Sequence, residues 1–159
     1  MNQQNLNIEE TEDLLQLDNQ LCFRLYSISR KMTKAYQPLL EKHQLTYPQY
    51  VIMLVMFEVG SIDFKELSVR VNLKTGTLTP IVQKLEQIGY LIRETNPEDH
   101  RKVNVVLSDM GHQLHQEIID VPLGLAERLK LSVEKYSSLI IELDELDELL
   151  DEALDECEK

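Results

Sequence analysis

The chain has 159 residues, a formal net charge of −12 at pH 7 and two cysteines. This length suits one domain with a sizeable core, and no apolar run approaches the about 20 residues that a membrane-spanning helix needs. The acidic and polar first residues do not resemble a secretion or transit signal, and two distant cysteines do not form a disulfide framework. We therefore expect a cytoplasmic protein without membrane contact.

A long helix is predicted from about residue 13 to residue 42, after a flexible segment 1–12. Apolar residues recur in it at intervals of three and four, as along the contact line of packed helices. They are Leu14, Leu17, Leu21, Leu25, Ile28, Met32, Ala35 and Leu39. A second stripe, one residue further round, consists of Cys22, Tyr26, Ser29, Thr33, Tyr36 and Leu40. Two neighbouring stripes are too wide for one partner, so we expect this helix to contact its own domain and a second copy of the chain.

The next helix has a clear start signal. Thr46 and Gln49 match a capping box, and Pro48 suits a first helical turn. The residues that follow are apolar nearly all round until Val59, so this helix is predicted to be buried. Gly60 is expected to end it.

A helix-turn-helix is predicted next. Asp63 is expected to cap its first helix, from which four apolar side chains should point inward: Phe64, Leu67, Val69 and Val71. A turn at 73–75 leads into a second helix with the apolar face Leu78, Ile81, Val82, Leu85 and Ile88. Proline is well tolerated only in the first turn of a helix, so Pro80 favours a helix start near Thr77 over one at Thr75. Gly89 is expected to stop this helix.

A β-hairpin is predicted directly after the helix-turn-helix. Two β-prone runs, 90–95 and 102–107, are joined by the polar turn 96–101, and residues 61–62 are expected to add a short third strand. Together these elements predict a mainly α fold with a small β wing, a winged helix-turn-helix. Such a fold places one helix in the major groove of DNA, about 12 Å wide, and the hairpin on the backbone or minor groove.

The last part of the chain is predicted to be helical. Ser108 is expected to cap a helix that Pro122 and Gly124 weaken or bend, and Ser132 is expected to cap another. The latter has a leucine stripe along an acidic surface: Leu139, Leu143, Leu146, Leu150 and Leu154. Such a stripe is typical of a helix that packs on a partner helix, although a helix lying on its own domain fits it equally well.

Charge and pattern suggest how the regions divide. Residues 62–108 have seven basic and six acidic side chains, whereas residues 142–159 have ten acidic side chains and one lysine. Groove binding depends on local potential, so this distribution neither supports nor excludes DNA. We expect residues 13–60 and 108–159 to form the dimerisation region of an intertwined helical homodimer, and residues 61–107 to bind DNA, within one continuous domain.

The order of elements resembles the MarR family of winged-helix transcriptional regulators over essentially the whole chain. Local matches resemble its organic-peroxide-sensing, OhrR-like branch: Leu21-Cys22-Phe23-x-Leu25-Tyr26, Tyr36, Leu45-Thr46-Tyr47-Pro48-Gln49-Tyr50 and Thr75-Gly76-Thr77-Leu78-Thr79-Pro80. The resemblance implies a regulator, expected to be a repressor, that releases double-stranded operator DNA when Cys22 is oxidised. It also implies that Tyr26 and Tyr36 hydrogen-bond to the sensing cysteine across the dimer.

Helix geometry and thiol chemistry agree with that implication. Cys22 and Tyr36 share a helix face 14 residues apart, about 21 Å, so they cannot touch within one chain. An antiparallel approach of two such helices would bring them together. A thiolate attacks peroxide to give sulfenic acid, although an inert buried thiol is the alternative for Cys22. Acidic neighbours disfavour a thiolate at Cys157. Residues 108–131 contain no cysteine, so the resemblance is to the one-cysteine type, whose sulfenic acid reacts with a low-molecular-weight thiol.

The resemblance also implies the DNA contacts. Groove and phosphate contacts fall on Thr75, Thr77, Thr79, Gln83 and Lys84. Asp99 and Arg101 match the family's wing signature Asp-x-Arg, in which the arginine enters the minor groove. An ordinary surface pair in a turn is the alternative for these two residues. No cofactor is implied.

Four other functions stay open. One is an interaction module built on the acidic helices, which would leave the wing and its Asp-x-Arg turn unexplained. A metal-sensing regulator would need four scattered residues to converge: Glu41, His43, His112 and His115. A regulator that binds a small apolar ligand would make Cys22 incidental. A thiol peroxidase would need an arginine beside the thiol, but Arg24 and Arg30 lie off the Cys22 stripe, so we expect no enzyme. Because the sequence has no Cys-x-x-Cys motif and no tight histidine cluster, we also expect no metal site.

Overall fold

The computed structural model describes residues 15–95 and 103–157, without the side chain of Cys157. The helices and strands in these ranges are α1 (Leu21–Leu40), α2 (Tyr47–Val59), β1 (Ser61–Asp63), α3 (Phe64–Arg70), α4 (Thr75–Ile88), β2 (Leu91–Thr95), β3 (Val103–Leu107), α5 (Asp109–Glu117), α6 (Val121–Leu129) and α7 (Val133–Cys157). The predicted fold class, mainly helical with a small β wing, is confirmed. Within the described ranges, no helix is long and apolar enough to cross a membrane.

Two compact units make up the chain, and the first extends to Ile119 while the second begins at Asp120. The first unit contains α1 to α5 and the sheet, and α2 contributes most to its core. Its best-buried side chains are Leu40, Ile52, Met53, Met56, Leu67, Leu78, Val82, Leu85, Val105 and Leu114. The second unit contains α6 and α7. The assignment of residues 13–60 and 108–159 to dimerisation stays a prediction.

The first helix is shorter than predicted. It begins at Leu21 rather than near residue 13, because Gln20 has an extended backbone (φ −82°, ψ 114°). It ends at Leu40, two residues after Pro38, and a 3-10 turn follows. Gln44 then adopts a left-handed conformation (φ 56°), so that the Leu45 N–H donates to the Leu40 carbonyl (3.2 Å). This reversal is a common way to end a helix and turn the chain.

Local capping signals predicted the start of α2 correctly. The Gln49 side chain accepts a hydrogen bond from the Thr46 N–H at 2.7 Å, and Pro48 lies in the first turn. The helix ends at Val59, and Gly60 caps it with a φ of 70°, in the region that glycine adopts without steric strain. The interior of α2 is buried as expected, although Leu54 is 39% exposed.

The first helix of the helix-turn-helix is capped as predicted. The Asp63 carboxylate accepts hydrogen bonds from the N–H groups of Lys65 (2.8 Å) and Glu66 (3.3 Å). Leu67 is fully buried, but Val69 is 80% exposed, so the prediction that it packs inward was wrong. The helix has only seven residues, and the positions three and four apart that share the face of Leu67 do not include Val69.

The second helix of the motif begins at Thr75, so the preference for a start near Thr77 was wrong. Pro80 lies in the second turn, where it removes only the backbone donor for the Gly76 carbonyl. The first turn forms without it, because the N–H groups of Thr77 and Leu78 both donate to the Lys74 carbonyl, at 2.9 and 3.0 Å. One lost hydrogen bond is therefore tolerated.

The three strands form an antiparallel sheet in the order β1-β3-β2. Val105, on the central strand, pairs with Ile62 on one side and Arg93 on the other. This arrangement confirms the predicted hairpin and short third strand. The predicted turn at 96–101 lies outside the described residues.

The chain after the sheet contains two helices where the sequence predicted one weakened helix. Ser108 Oγ accepts from the Gly111 N–H (3.0 Å), as a cap should, but α5 ends at Glu117 and α6 begins at Val121. Pro122 lies in the first turn of α6, a position that needs no backbone donor, so it starts a helix instead of bending one. Ser132 Oγ accepts from the Lys135 N–H (3.2 Å), which confirms the last cap.

Candidate sensing site and nucleic-acid interface

The outer face of α4 is the candidate DNA-binding surface. Of the five α4 residues predicted to contact DNA, Thr79 is half-buried and the other four are exposed: Thr75, Thr77, Gln83 and Lys84. The opposite face of the helix is fully buried through Leu78, Val82 and Leu85. The Thr79 hydroxyl donates to the Thr75 carbonyl (2.8 Å), so its remaining capacity toward a ligand is as an acceptor.

No free carboxylate lies on that outer face. The one acidic residue of α4 is Glu86, which is paired with Arg93 on β2 at 2.7 Å. The exposed side chains are therefore hydroxyls, an amide and a lysine, which suit contacts with phosphates and base edges. The predicted wing residues Asp99 and Arg101 lie outside the described residues.

Cys22 is the second residue of α1 and is an exposed, free thiol. Tyr26 lies one helical turn further along and is 57% exposed. Its hydroxyl oxygen accepts a hydrogen bond from Arg30 Nη1 (2.9 Å), and the guanidinium carbon lies 5.5 Å from the ring centre. Because the oxygen accepts in that bond, the Tyr26 hydroxyl proton can still be donated.

Tyr36, near the other end of α1, belongs to a cluster of three tyrosines. Its ring centre lies 4.9 Å from that of Tyr47 and 5.6 Å from that of Tyr50, both on α2. Burial, with Tyr36 and Tyr47 beside it, raises the pKa of Tyr50 to about 12. Sequence reasoning did not assign Tyr47 and Tyr50 to this site, although their spacing of three residues places both on one face of α2.

The structure does not bring Cys22 and Tyr36 together within one chain. Both lie on the continuous helix α1, 14 residues apart, which corresponds to about 21 Å along the axis. Tyr26 is near Cys22 in sequence, whereas Tyr36 packs on α2. The predicted sensing residues therefore form two separate groups at the two ends of one helix.

A groove of about 890 Å³ runs along α1 beside the start of α2. Aromatic and basic side chains line much of it, including Phe23, Tyr26, Arg30, Lys34 and Tyr47. α1 has four basic residues and no acidic one, so this wall of the groove is positively charged. The groove can accommodate an amphipathic organic molecule of moderate size.

His43 has a structural role that the sequence did not reveal. Its ring is buried, Nδ1 lies 3.3 Å from Glu117 Oε2, and its carbonyl accepts a hydrogen bond from the Tyr90 hydroxyl (3.2 Å). Burial is the main cause that lowers the pKa of His43, Lys42 adds to it, and Glu117 opposes it. A neutral imidazole in the 3-10 turn after α1 thus contacts the end of α5.

The residues of the metal-sensing alternative do not form a site in the described ranges. No three histidine, cysteine, aspartate or glutamate side chains there are grouped so that they could hold a metal ion. His43 is paired with Glu117, and the ring of His115 stacks on Phe57 with 4.6 Å between ring centres. These contacts give packing roles to two of the four residues that the metal-sensing alternative would need.

Comparison with known proteins agrees with this architecture. The family model for the transcriptional regulator SarA/Rot matches residues 34–118. The organic hydroperoxide resistance transcriptional regulator of Bacillus subtilis (strain 168) is 38% identical over 139 residues, which cover 86% of this chain and 95% of that protein. Both matches are to transcriptional regulators, so the chain is a regulator and not an enzyme.

Solved structures extend the similarity to DNA complexes. Reduced AbfR bound to DNA is 27% identical, with a TM-score of 0.79 over 91% of this chain and 99% of that one; AbfR is a protein of Staphylococcus epidermidis. Overoxidised AbfR bound to DNA is 28% identical, with a TM-score of 0.69 over 89% and 99%. The crystal structure of MarR, at 21% identity and a TM-score of 0.70 over 83% and 98%, shares the fold. The chain belongs to the MarR-like family of winged-helix, DNA-binding transcriptional regulators.

Proposed function

We propose that this regulator is a repressor that senses organic hydroperoxides through Cys22 and releases its operator when that thiol is oxidised. The observation that carries the proposal is an exposed, free Cys22 on the same helix as a tyrosine cluster that it cannot reach within one chain. The name of the Bacillus subtilis relative supports the choice of oxidant. The reduced and overoxidised states of AbfR support a redox role for the fold.

A second copy of the chain would complete the sensing site. Leu21, Tyr26 and Ile28 on α1 are each more than half exposed, and such apolar exposure along one helix favours burial against a partner. Two antiparallel α1 helices would bring Cys22 of one copy to Tyr36 of the other. Tyr47 would then lie beside the thiol as well, since it packs on Tyr36.

The chemistry needs a thiolate and a leaving group. The Cys22 thiolate attacks the terminal oxygen of the hydroperoxide, the O–O bond breaks, and the alkoxide takes a proton from water or a tyrosine hydroxyl and leaves as an alcohol. Sulfur is oxidised to sulfenic acid and the peroxide is reduced. A low-molecular-weight thiol then attacks the sulfenic sulfur, water leaves, and a mixed disulfide remains.

Oxidation would reach the DNA-binding surface through packed helices. Tyr36 on α1 contacts the start of α2, and α2 packs against α4. A bulky adduct at Cys22 would displace the tyrosines and shift α1 relative to its partner. The two α4 helices of a dimer must match half-sites about 34–36 Å apart, so a small shift weakens binding.

The DNA contacts that we propose lie on the outer face of α4 and in the wing. Thr75, Thr77, Thr79, Gln83 and Lys84 would contact the groove and phosphates, and Arg101, supported by Asp99, would enter the minor groove. The exposure of the α4 side chains and the absence of a free carboxylate among them support this assignment.

The test is operator binding by fluorescence anisotropy at fixed salt, on DNA selected from random sequence. Stoichiometric organic hydroperoxide with a small thiol should release the parent protein and leave Cys22→Ser bound. Cys157→Ser is the matched control and should respond as the parent does. Mass spectrometry should find one thiol adduct, on Cys22. Persistent binding by the fully adducted parent would contradict the mechanism.

A second candidate effector is a small amphipathic ligand, which the groove along α1 favours. Oxidation would then be incidental, and Cys22→Ser would respond to the ligand as the parent does. Release of both proteins by an aromatic carboxylate, without oxidant, would support this alternative over peroxide sensing.

A further inference from the structure

The recognition helix and the first wing strand are joined by one side chain. Glu86 Oε1 accepts a hydrogen bond from the Arg93 backbone N–H (3.1 Å), and Glu86 Oε2 forms an ion pair with Arg93 Nε (2.7 Å). The Glu86 side chain is 23% exposed and that of Arg93 is 35% exposed, so the contact is partly shielded from water. One carboxylate thus binds both the backbone and the side chain of the same residue.

The position of Arg93 in the sheet explains why this contact is available. β2 is an edge strand, because the order is β1-β3-β2. Alternate residues of an edge strand direct their N–H groups away from the neighbouring strand. The Arg93 N–H points away from β3, since it donates to Glu86. The Glu86 carboxylate therefore accepts the hydrogen bond that a further strand would otherwise accept at this edge.

We propose that Glu86 is a positioning residue for DNA binding, which holds the wing at a fixed angle to α4. One hydrogen bond and one ion pair with Arg93 on β2 add to the Gly89 turn as a link between these elements. They let the helix and the wing reach the operator as one rigid body, and they keep the one carboxylate of α4 away from phosphates. This inference rests on the proposed use of α4 and the wing in DNA binding.

The proposal predicts that substitution of Glu86 changes operator affinity in the direction opposite to that expected from charge alone. Removal of a negative charge from a DNA-binding surface ordinarily strengthens binding. Glu86→Gln removes such a charge but also removes the ion pair with the Arg93 guanidinium, so we expect operator binding to weaken by about threefold to tenfold. Glu94→Gln is the matched control, because Glu94 is exposed on the same strand and its loss changes the charge equally. It should bind as tightly as the parent or more tightly.

The experiment measures the dissociation constant of each full-length reduced protein across a salt series. Glu86→Gln should also lower the slope of log affinity against log salt by about one phosphate contact, as the wing loses its orientation. Faster hydrogen exchange at the Arg93 amide, measured without DNA, should accompany it. Binding of Glu86→Gln as tight as that of Glu94→Gln, with an unchanged slope, would overturn the proposal.

One further variant separates failure of this inference from failure of the proposed function. Lys84→Gln removes an exposed α4 cation that takes no part in the contact between Glu86 and Arg93, and it should weaken operator binding. If Lys84→Gln has no effect while the parent binds DNA, the assignment of α4 is wrong and the role of Glu86 falls with it. If Lys84→Gln weakens binding and Glu86→Gln does not, only the positioning role is wrong.

Discussion

Substitution of Gly111 by alanine tests how closely α5 approaches the sheet. A Cβ at this position would lie against the Tyr90 carbonyl oxygen and 2.6 Å from Cδ1 of Leu107. The first of these neighbours is backbone at the start of the wing, so it cannot turn away as a flexible side chain can. Gly111 also donates its N–H to the Ser108 cap, which holds the residue in place.

Two opposing effects decide how far Gly111→Ala changes the free energy of unfolding. Alanine gains up to about 1 kcal/mol over glycine in a helix, whereas overpacking in a close contact costs about 1–3 kcal/mol. We expect the contact to prevail at Gly111, with a net loss of about 1–2 kcal/mol. Gly76 is the matched control, because a Cβ there meets nothing within 4 Å. Gly76→Ala should therefore stabilise the protein by about 0.5–1 kcal/mol.

Thermal unfolding followed by circular dichroism measures both variants. Each kcal/mol corresponds to a shift of about 2–4 °C for a chain of this size. All samples need the same protein concentration, because the Tm of a protein that self-associates depends on concentration. The same chemical change should thus lower Tm at one glycine and raise it at the other. A Gly111→Ala protein at least as stable as the parent would refute the reasoning from close approach.

Two further predictions concern His43 and Asp63. Folding lowers the pKa of His43 from 6.5, so below that pH the unfolded chain binds more protons than the folded one. The contribution of neutral His43 to the free energy of unfolding is therefore fully present above pH 6.5, and it is lost as the pH falls toward the lowered pKa. Urea unfolding between roughly pH 7 and pH 5 should show a smaller loss for His43→Gln than for the parent, and parallel profiles would exclude this linkage. Asp63→Ala should lower the free energy of unfolding by about 1 kcal/mol, whereas Asp63→Asn, which still caps, should retain most of it. Equal losses in the two variants would show that the cap hydrogen bonds contribute little.

Local chemistry explains which parts of the fold were predictable. The caps at Thr46, Asp63 and Ser108 involve residues two or three positions apart, so the sequence contains everything that they need. The start of α4 was misplaced because proline preference was weighed alone, while the hydrogen bonds to Lys74 form without Pro80.

Contacts between different helices depend on tertiary packing, and the sequence did not predict them. The position of Cys22 on α1 and the solvent-facing side of α4 follow from helical periodicity and were predicted. The contacts of Tyr36 with α2 depend on how two helices pack, as does the pairing of His43 with Glu117. Periodicity identifies the face of a helix but not the residue that it meets.

The proposed sharing of a sensing site between two copies, with Cys22 from one and Tyr36 from the other, has a genetic consequence. A site shared between copies exists twice in a homodimer, and each copy lends its thiol to one site and its tyrosine to the other. In a mixed dimer of Cys22→Ser with Tyr36→Phe, one site would lose both groups and the other would be intact. Two defective alleles would thus complement each other when expressed together, whereas a site contained in one chain would leave both copies unresponsive.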